Sequence, residues 1–366
     1  MSANRPETAL KRSWISGGTL LRAIPLVIFF LVIVYNHTLH RMRRGSGKRR
    51  AHGVSTAAEA TPSPSPRPHA DIPNLVHYVF GMEKDFGHIK FGLMHYLSLL
   101  ATRLYIEPEK ILWHHLYLPE SNPWWDCAST LLSLSTVEDV THIHGKEYPG
   151  LHVAHKADAI RMQIMVKTGG IYLDSDVIPL QPFDEVRRLG GQGKGQLVMG
   201  LEEASGQIGL SNAVLVAPPN SSFVNRWWGA YTTFDPKASW AYHSVILPRE
   251  IAAQHPEEIV ILSGKAFFAP PWTDLKSLYA EDDGYSYRDN FAVHLWTSAE
   301  TKSYNKLATL SVPDVFSGNG SFYRVARRVI HDAKESGLLC EHAWKGHEKL
   351  FSAPREKWTG RESRRK

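Results

Sequence analysis

Two aspartates stand one residue apart at the end of an apolar run in GGIYLDSDVIPL, residues 169–180. Asp174 and Asp176 are the first candidates for chemistry, because two close carboxylates repel unless something positive neutralises them. Hard cations such as Mn2+ or Mg2+ take oxygen ligands, so a metal-bound diphosphate suits this pair. A D-x-D triplet alone is a weak signal, and a solvated D-S-D turn is the plain alternative. An EF-hand loop is excluded: counted from Asp174, Ile178 and Pro179 fall where that loop needs an oxygen ligand and a glycine.

The elements that must position these carboxylates can be read on either side of them. A helix is expected over 153–168, closed by Gly169 and Gly170, with a short buried strand at 171–173. Further upstream, IPNLVHYVF at 72–80 reads as a strand covered on both faces, followed by a helical pattern over 88–103 and a strand over 110–118. Strand, helix, strand opens an α/β sheet. Asp174 and Asp176 then sit at the carboxyl end of a buried strand, where open α/β sheets place their ligands. Extended geometry points residues i and i+2 the same way, so the two carboxylates should converge. On the helix, Asp158 and Arg161 share a face, while Ala157, Ile160 and Ile164 can pack on the sheet. Such an Asp–Arg pair alone reads as a modest surface ion pair. Next to a carboxylate pair at a strand end, the combination is much rarer than either part.

Charge distribution narrows the function class. The chain of 366 residues carries a formal +6, but residues 1–70 hold 11 basic and 2 acidic side chains and the remainder 31 and 34. The head is slightly acidic, so a nucleic-acid role loses its motive. The basic arm contains AIPLVIFFLVIVY at 23–35, followed by NHTLHRMRR, which offers no small-residue cleavage site and is too polar to follow a core helix. The expected organisation is a cytoplasmic tail at 1–22, an uncleaved signal-anchor helix at 23–38, a disordered Ser/Pro-rich stem at 39–70, one α/β head at 71–354 and a basic tail at 355–366. Flanking charge slightly opposes a lumenal head, since Arg41, Arg43, Arg44, Lys48, Arg49 and Arg50 outweigh the basic residues before the run. Sequons at Asn220 and Asn319 fit a lumenal one. Cys127 and Cys340 can form one long-range disulfide or remain free, and cannot make a zinc site alone. No H-E-x-x-H pattern occurs among the 19 histidines. The tryptophans Trp124, Trp125, Trp227, Trp228 and Trp240 read as core residues before sugar platforms.

Residues 155–183, HKADAIRMQIMVKTGGIYLDSDVIPLQPF, resemble the donor-binding core of family 32 glycosyltransferases, S-D-x-x-R followed by G-G-x-Y-x-D-x-D, with Ala157 where the family has Ser. That family includes fungal Golgi and inositol-phosphoceramide mannosyltransferases and animal α-1,4-galactosyl and N-acetylglucosaminyl transferases. LVHYVF, SNAVLVAPPNSSF at 211–223, KAFFAPPW at 265–272 and AVHLW at 292–296 continue the likeness in the family's order. The resemblance implies a GT-A fold, a Rossmann-type mixed sheet flanked by helices, and a GDP- or UDP-hexose donor with Mn2+ or Mg2+. It implies that Asp174 approaches the donor ribose and sugar, that Asp176 ligates the metal, and that His294 completes the metal and diphosphate site. Asp158 and Arg161 would hold sugar hydroxyls. Asn212 is a candidate sugar or acceptor contact, or a turn residue; Trp296 stacks on the donor or fills the core. The implied activity is that of a retaining, metal-dependent hexosyltransferase of mannose or galactose type. It would act on a glycan or glycolipid acceptor, from a single-pass type II position in the Golgi membrane. Two other classes stand beside it: a membrane-anchored protein that binds sugar or sugar nucleotide without transfer, and an anchored scaffold whose basic arm meets anionic lipid.

Overall fold

The computed structural model describes residues 71–85, 90–191, 196–204, 207–237, 239, 241–281, 284–297 and 307–352. The tail, anchor and stem expected over 1–70, the basic tail and Trp240 lie outside them. Among the described residues no helix is long and apolar enough to cross a membrane.

Strand β1 (Leu75–Val79) and helix α1 (Leu93–Ala101) open the head, and a π-helical turn at Thr102–Ile106 leads into β2 (Lys110–His115). Helix α2 (Pro123–Ser129), β3 (Ser133–Thr136), the small hairpin of β4 (His142–Ile143) and β5 (Lys146–Glu147), and helix α3 (Val153–Thr168) follow. Then come β6 (Gly170–Leu173), β7 (Val177–Pro179), β8 (Leu197–Ala204), β9 (Gln207–Leu210), β10 (Val214–Ala217), β11 (Ile259–Leu262) and β12 (Ala292–His294). The central sheet has the order β11-β8-β10-β6-β1-β2-β3, with β9 paired to β8 outside that path. Strands β6, β1, β2 and β3 are parallel neighbours, β10 runs antiparallel to β6 and β8, and β11 is parallel to β8.

Alternation along each strand sends side chains to two separate cores. Ile171 and Leu173 of β6 join α1 and the helix Ser321–Glu335 on one face, whereas Tyr172 joins Ala159, Met162 and Met165 of α3 on the other. Both faces are covered, which is why β1, β6 and β10 are almost wholly apolar.

Helix α3 has the expected bounds. His152 Nδ1 accepts the Ala154 N–H at 3.2 Å at its start, and Gly169 ends it at φ 60° with its N–H on Met165 O at 3.2 Å. Gly170 follows at φ 99°, and a Cβ there would stand 2.7 Å from Leu75 O. The glycine pair therefore permits a sharp reversal packed against β1. Two other expectations are corrected. The helix expected over 88–103 is α1 from Leu93, yielding to the π turn at Thr102, with 86–89 outside the described residues. Strand β2 stops at His115, because the Leu116 and Tyr117 N–H groups both turn to Gly81 O, at 3.3 and 2.8 Å. Trp125 and Trp227 are core residues, and Trp124 packs against that core.

Cys127 and Cys340 are joined in a disulfide, Cα atoms 5.8 Å apart, across a sequence separation of 213 residues. Tying a loop of that length removes unfolded-chain entropy equivalent to about 5 kcal/mol. Cys340→Ser should therefore lower the unfolding free energy by up to about 5 kcal/mol in urea titrations. A loss below about 1 kcal/mol would show that the tether adds nothing the core does not already hold.

Candidate active site

Strand β6 delivers Asp174 at its carboxyl end, where the Asp174 N–H is held by Ala213 O at 2.9 Å. The chain does not continue extended. The Val177 N–H reaches back to Asp174 O at 3.0 Å, so Asp174 and Asp176 converge through a tight turn rather than along a strand as expected. The reason is the next pairing: β7 leaves the central sheet to run antiparallel to β12, with Val177 opposite His294. That register brings His294 Nε2 to 3.1 Å from Asp176 Oδ1. The Thr297 N–H and hydroxyl hold Asp176 Oδ2 at 3.0 and 2.7 Å. From α1, whose core also takes in Val177 and Ile178, Ser98 Oγ donates to Val177 O at 2.6 Å and pins the turn.

Helix α3 supplies the opposite wall. Arg161 Nη2 lies 3.1 Å from Asp174 Oδ1 and 3.3 Å from Asp158 Oδ1, while Nη1 donates to Asn212 O at 2.8 Å. The Asn212 amide donates to Asp158 Oδ1 at 2.7 Å, so it is engaged within the site wall. The Tyr172 hydroxyl donates to Asp174 Oδ1 at 2.7 Å, and its ring lies 4.5 Å from the guanidinium. Asp158 and Arg161, expected on a surface if read alone, are 7% and 5% exposed. Asp158, Arg161, Asp174, Asp176, Asn212 and His294 thus stand in one linked cluster. Trp296 backs it: its Nε1 donates to Pro270 O at 3.0 Å and its ring meets that of His294 at 4.0 Å.

Ligand atoms of Asp174, Asp176 and His294 all lie within 4.8 Å of one another. Two carboxylates and an imidazole make a donor set that fits a divalent cation. The electrostatics fit as well. Burial pushes the Asp174 carboxyl up, and neighbouring Asp176 adds to this against the pull of Arg161. Burial would do the same to Asp176, but His294 and the Thr297 bonds hold it below the usual carboxylate range. Asp158 is likewise held low, with Arg161, His155 and Asn212 outweighing burial. For His294, burial opposes protonation, yet Asp176, Asp174 and Glu202 raise it. The cluster is short of positive charge, and a cation would supply it.

Glu202 is a site residue the motif reading missed. It follows Gly200 on the same face of β8, and Gly200 makes room for Phe267 and Phe268, since a Cβ would meet them at 2.8 and 2.9 Å. Phe268 in turn packs on His294, ring centres 6.0 Å apart. Burial raises the Glu202 carboxyl, a Ser211 hydrogen bond and the His294 charge acting against it. The signal that singles out Asp174, an acid ending an apolar run, is also present in LVMGLEE. His95 is a second omission. Its ring packs between Phe91 at 5.2 Å and Phe80 at 5.0 Å, and its Nδ1 accepts the Gly92 N–H at 3.2 Å.

Residues 115–190 fit the family model described as a glycosyltransferase sugar-binding region containing a DXD motif. Over 274 residues the chain is 33% identical to glucan organizing enzyme 1 of Cryptococcus neoformans var. grubii serotype A, covering 71% of each protein. The chain belongs to the DXD-containing glycosyltransferases. Among solved structures, the galactosyltransferase LgtC aligns at TM-score 0.39 and 13% identity, over 74% of this chain and 99% of that one. The glycosyltransferase GlyE of Streptococcus pneumoniae TIGR4 aligns at TM-score 0.42 and 10% identity, over 73% of this chain and 64% of that one. In this glycosyltransferase the family-matched stretch spans α3, β6 and β7, and so contains Asp158, Arg161, Asp174 and Asp176. Glu202, Asn212 and His294 are brought to them by the rest of the fold.

Proposed function

We propose that this glycosyltransferase is a retaining, metal-dependent hexosyltransferase of GT-A type. It would move a mannose- or galactose-type sugar from a GDP- or UDP-hexose to a glycan or glycolipid acceptor. The observation that carries this reading is the close set of Asp174, Asp176 and His294 ligand atoms beside the buried Arg161–Asp158 pair. Asp174, Asp176 and His294 would hold a Mn2+ or Mg2+ ion, which supplies positive charge to a departing diphosphate. Asp158 and Arg161 hold sugar hydroxyls, fixed in place by Asn212 and Tyr172. Asp174 faces the ribose and the transferred sugar. Retention needs no separate general base here. The acceptor oxygen bonds to the anomeric carbon as the carbon–phosphate oxygen bond breaks on the same face, and the acceptor proton passes to the departing phosphate oxygen.

A Golgi membrane position, type II with a lumenal head, is part of the proposal. Its support is the apolar run at 23–35, the Cys127–Cys340 disulfide and the exposed Asn220 and Asn319 of the sequons.

The test offers a panel of UDP- and GDP-hexoses to the detergent-solubilised full chain, with Mn2+ or with chelator. Hydrolysis of one donor is expected, abolished by chelator and lowered at least about a hundredfold by Asp176→Ala. Full activity in chelator, or turnover of none of the nucleotide sugars, would overturn the reading.

A further inference from the structure

Trp272 is 40% exposed, the one tryptophan among the described residues that stands open to solvent. A single apolar ring on a surface needs no explanation, but one at the rim of a binding site does. The fold places Trp272 at such a rim. It opens a short 3-10 turn at Trp272–Asp274, directly after Pro270 and Pro271. Pro270 O accepts the Trp296 Nε1–H at 3.0 Å, and the Trp296 ring meets that of His294 at 4.0 Å. Further along, the Tyr279 hydroxyl donates to Leu295 O. The segment is thus tied, before and after Trp272, to the two residues that follow His294. From Pro270 to Trp272 the chain spans at most about 7 Å, so Trp272 cannot stray from that anchor. Trp296 itself has φ 55°, a left-handed conformation that bulky residues avoid and that collects at active sites and ligand clamps.

The chemistry says which substrate meets this rim. In the same-face transfer proposed above, the acceptor oxygen enters on the side from which the diphosphate leaves. Asp176 and His294 mark that side, and Trp272 stands beyond His294. The nucleotide has its place elsewhere, over the carboxyl ends of the parallel strands β6, β1, β2 and β3. The segment that leads to Trp272 sets Phe267 and Phe268 against Gly200 of β8, on the opposite side of β6 from β1, β2 and β3. What fits an open indole there is a sugar ring, whose apolar C–H face rests on the aromatic while its hydroxyls stay in water.

We propose that Trp272 is the platform on which the acceptor's terminal hexose ring stacks, and that it orients the attacking hydroxyl toward the metal side of the site. This rests on the retaining nucleotide-sugar reading above and names the acceptor contact of that same site.

The experiment uses the full chain in a detergent without a sugar head and the nucleotide-hexose that it hydrolyses. Methyl and octyl glycosides of glucose, galactose, mannose and N-acetylglucosamine, in both anomers, serve as acceptors. Disaccharide product and free hexose are measured in the same reaction, and the methyl and octyl forms separate a glycan from a glycolipid preference. Wild type should extend at least one glycoside. In Trp272→Ala the ratio of transfer to hydrolysis at low acceptor should fall at least about tenfold, through acceptor KM and not kcat. Trp272→Phe should recover part of that loss. The side chain is exposed, so the melting temperature of Trp272→Ala should stay within about 3 °C of wild type. If Trp272→Ala does not fold, Trp272→Gln, which keeps the length and lacks the ring, decides in its place. An unchanged ratio overturns the assignment, and so does an equal weakening of inhibition by free UDP or GDP, which would make Trp272 a platform for the base. A wild-type chain that hydrolyses a donor yet extends none of the glycosides overturns this proposal alone. One that hydrolyses no nucleotide sugar overturns the donor reading and this one with it.

Discussion

Replacing Arg161 with alanine is expected to cost about 3–5 kcal/mol of stability at neutral pH and to remove donor turnover. The guanidinium lies between Asp158 and Asp174, bonds Asn212 O, and rests on Tyr172. Burial works against its charge, yet Asp174, Tyr172 and Asp158 together raise its pKa. Without it, two carboxylates stay buried with one cation fewer, which is costlier than never having built the pair. Arg161→Lys should recover only part of the loss, because a single ammonium cannot reach Asp158, Asp174 and the Asn212 carbonyl together. The defect has a pH signature. Asp158 loses the charge that holds it low, and Asp174 is freed to rise further. Folded variant then binds protons more readily than unfolded, so its deficit against wild type shrinks as pH falls through those raised values. Urea titrations near pH 7.5 and pH 5 measure both effects. An equal deficit at the two pH values would mean lost packing, not stranded charge.

That dependence on Arg161 shows where sequence reasoning reaches and where it stops. The bounds of α3 are legible because a helical pattern ends on two glycines, one of which only glycine can occupy against Leu75 O. The site end of β6 is legible because charge follows an apolar run. The burial of Asp158 and Arg161 is not, since α3 hides polar residues among Ala159, Ile160 and Met162 on its covered surface and no clean stripe marks the inward face. Period-2 logic fails past Leu173 for a non-local reason: β7 departs to meet β12, more than a hundred residues on, and that same pairing seats His294. Glu202 needs a glycine one strand step away and two phenylalanines from another segment before its carboxylate points anywhere.

Acidification from pH 6.5 to about 4 should destabilise the head by roughly 6 kcal/mol through buried neutral histidines. His77 Nε2 bonds Gly169 O at 3.0 Å and Nδ1 meets His114 Nε2 at 3.0 Å. A carbonyl only accepts, so His77 carries its proton on Nε2 and takes the His114 Nε2–H on Nδ1. A further proton on His77 would set two donors face to face and loosen the bond that steadies the α3–β6 reversal. Burial lowers His77 to about 4 despite the Gly169 bond, lowers His114 to about 3 with His77 and His115 adding to it, and lowers His95 to about 4 against the Asp176 charge. In the unfolded chain these rings protonate near pH 6.5, so the unfolded state takes up protons first. Stability is complete above that value, falls as pH drops toward the folded values, and levels off below them. Each such ring contributes about 3 kcal/mol, and His77 and His114 share one bond and count once beside His95. Asp174 and Glu202, both raised, act with the opposite sign and blunt the fall. Urea unfolding at half-unit steps from pH 7.5 to 4 should therefore slope steeply below pH 6.5 in wild type and more gently in His95→Phe. A flat profile across that window would mean that these rings are already charged in the fold, and that the hydrogen-bond chain from His114 to Gly169 is not the one that holds α3 against β1.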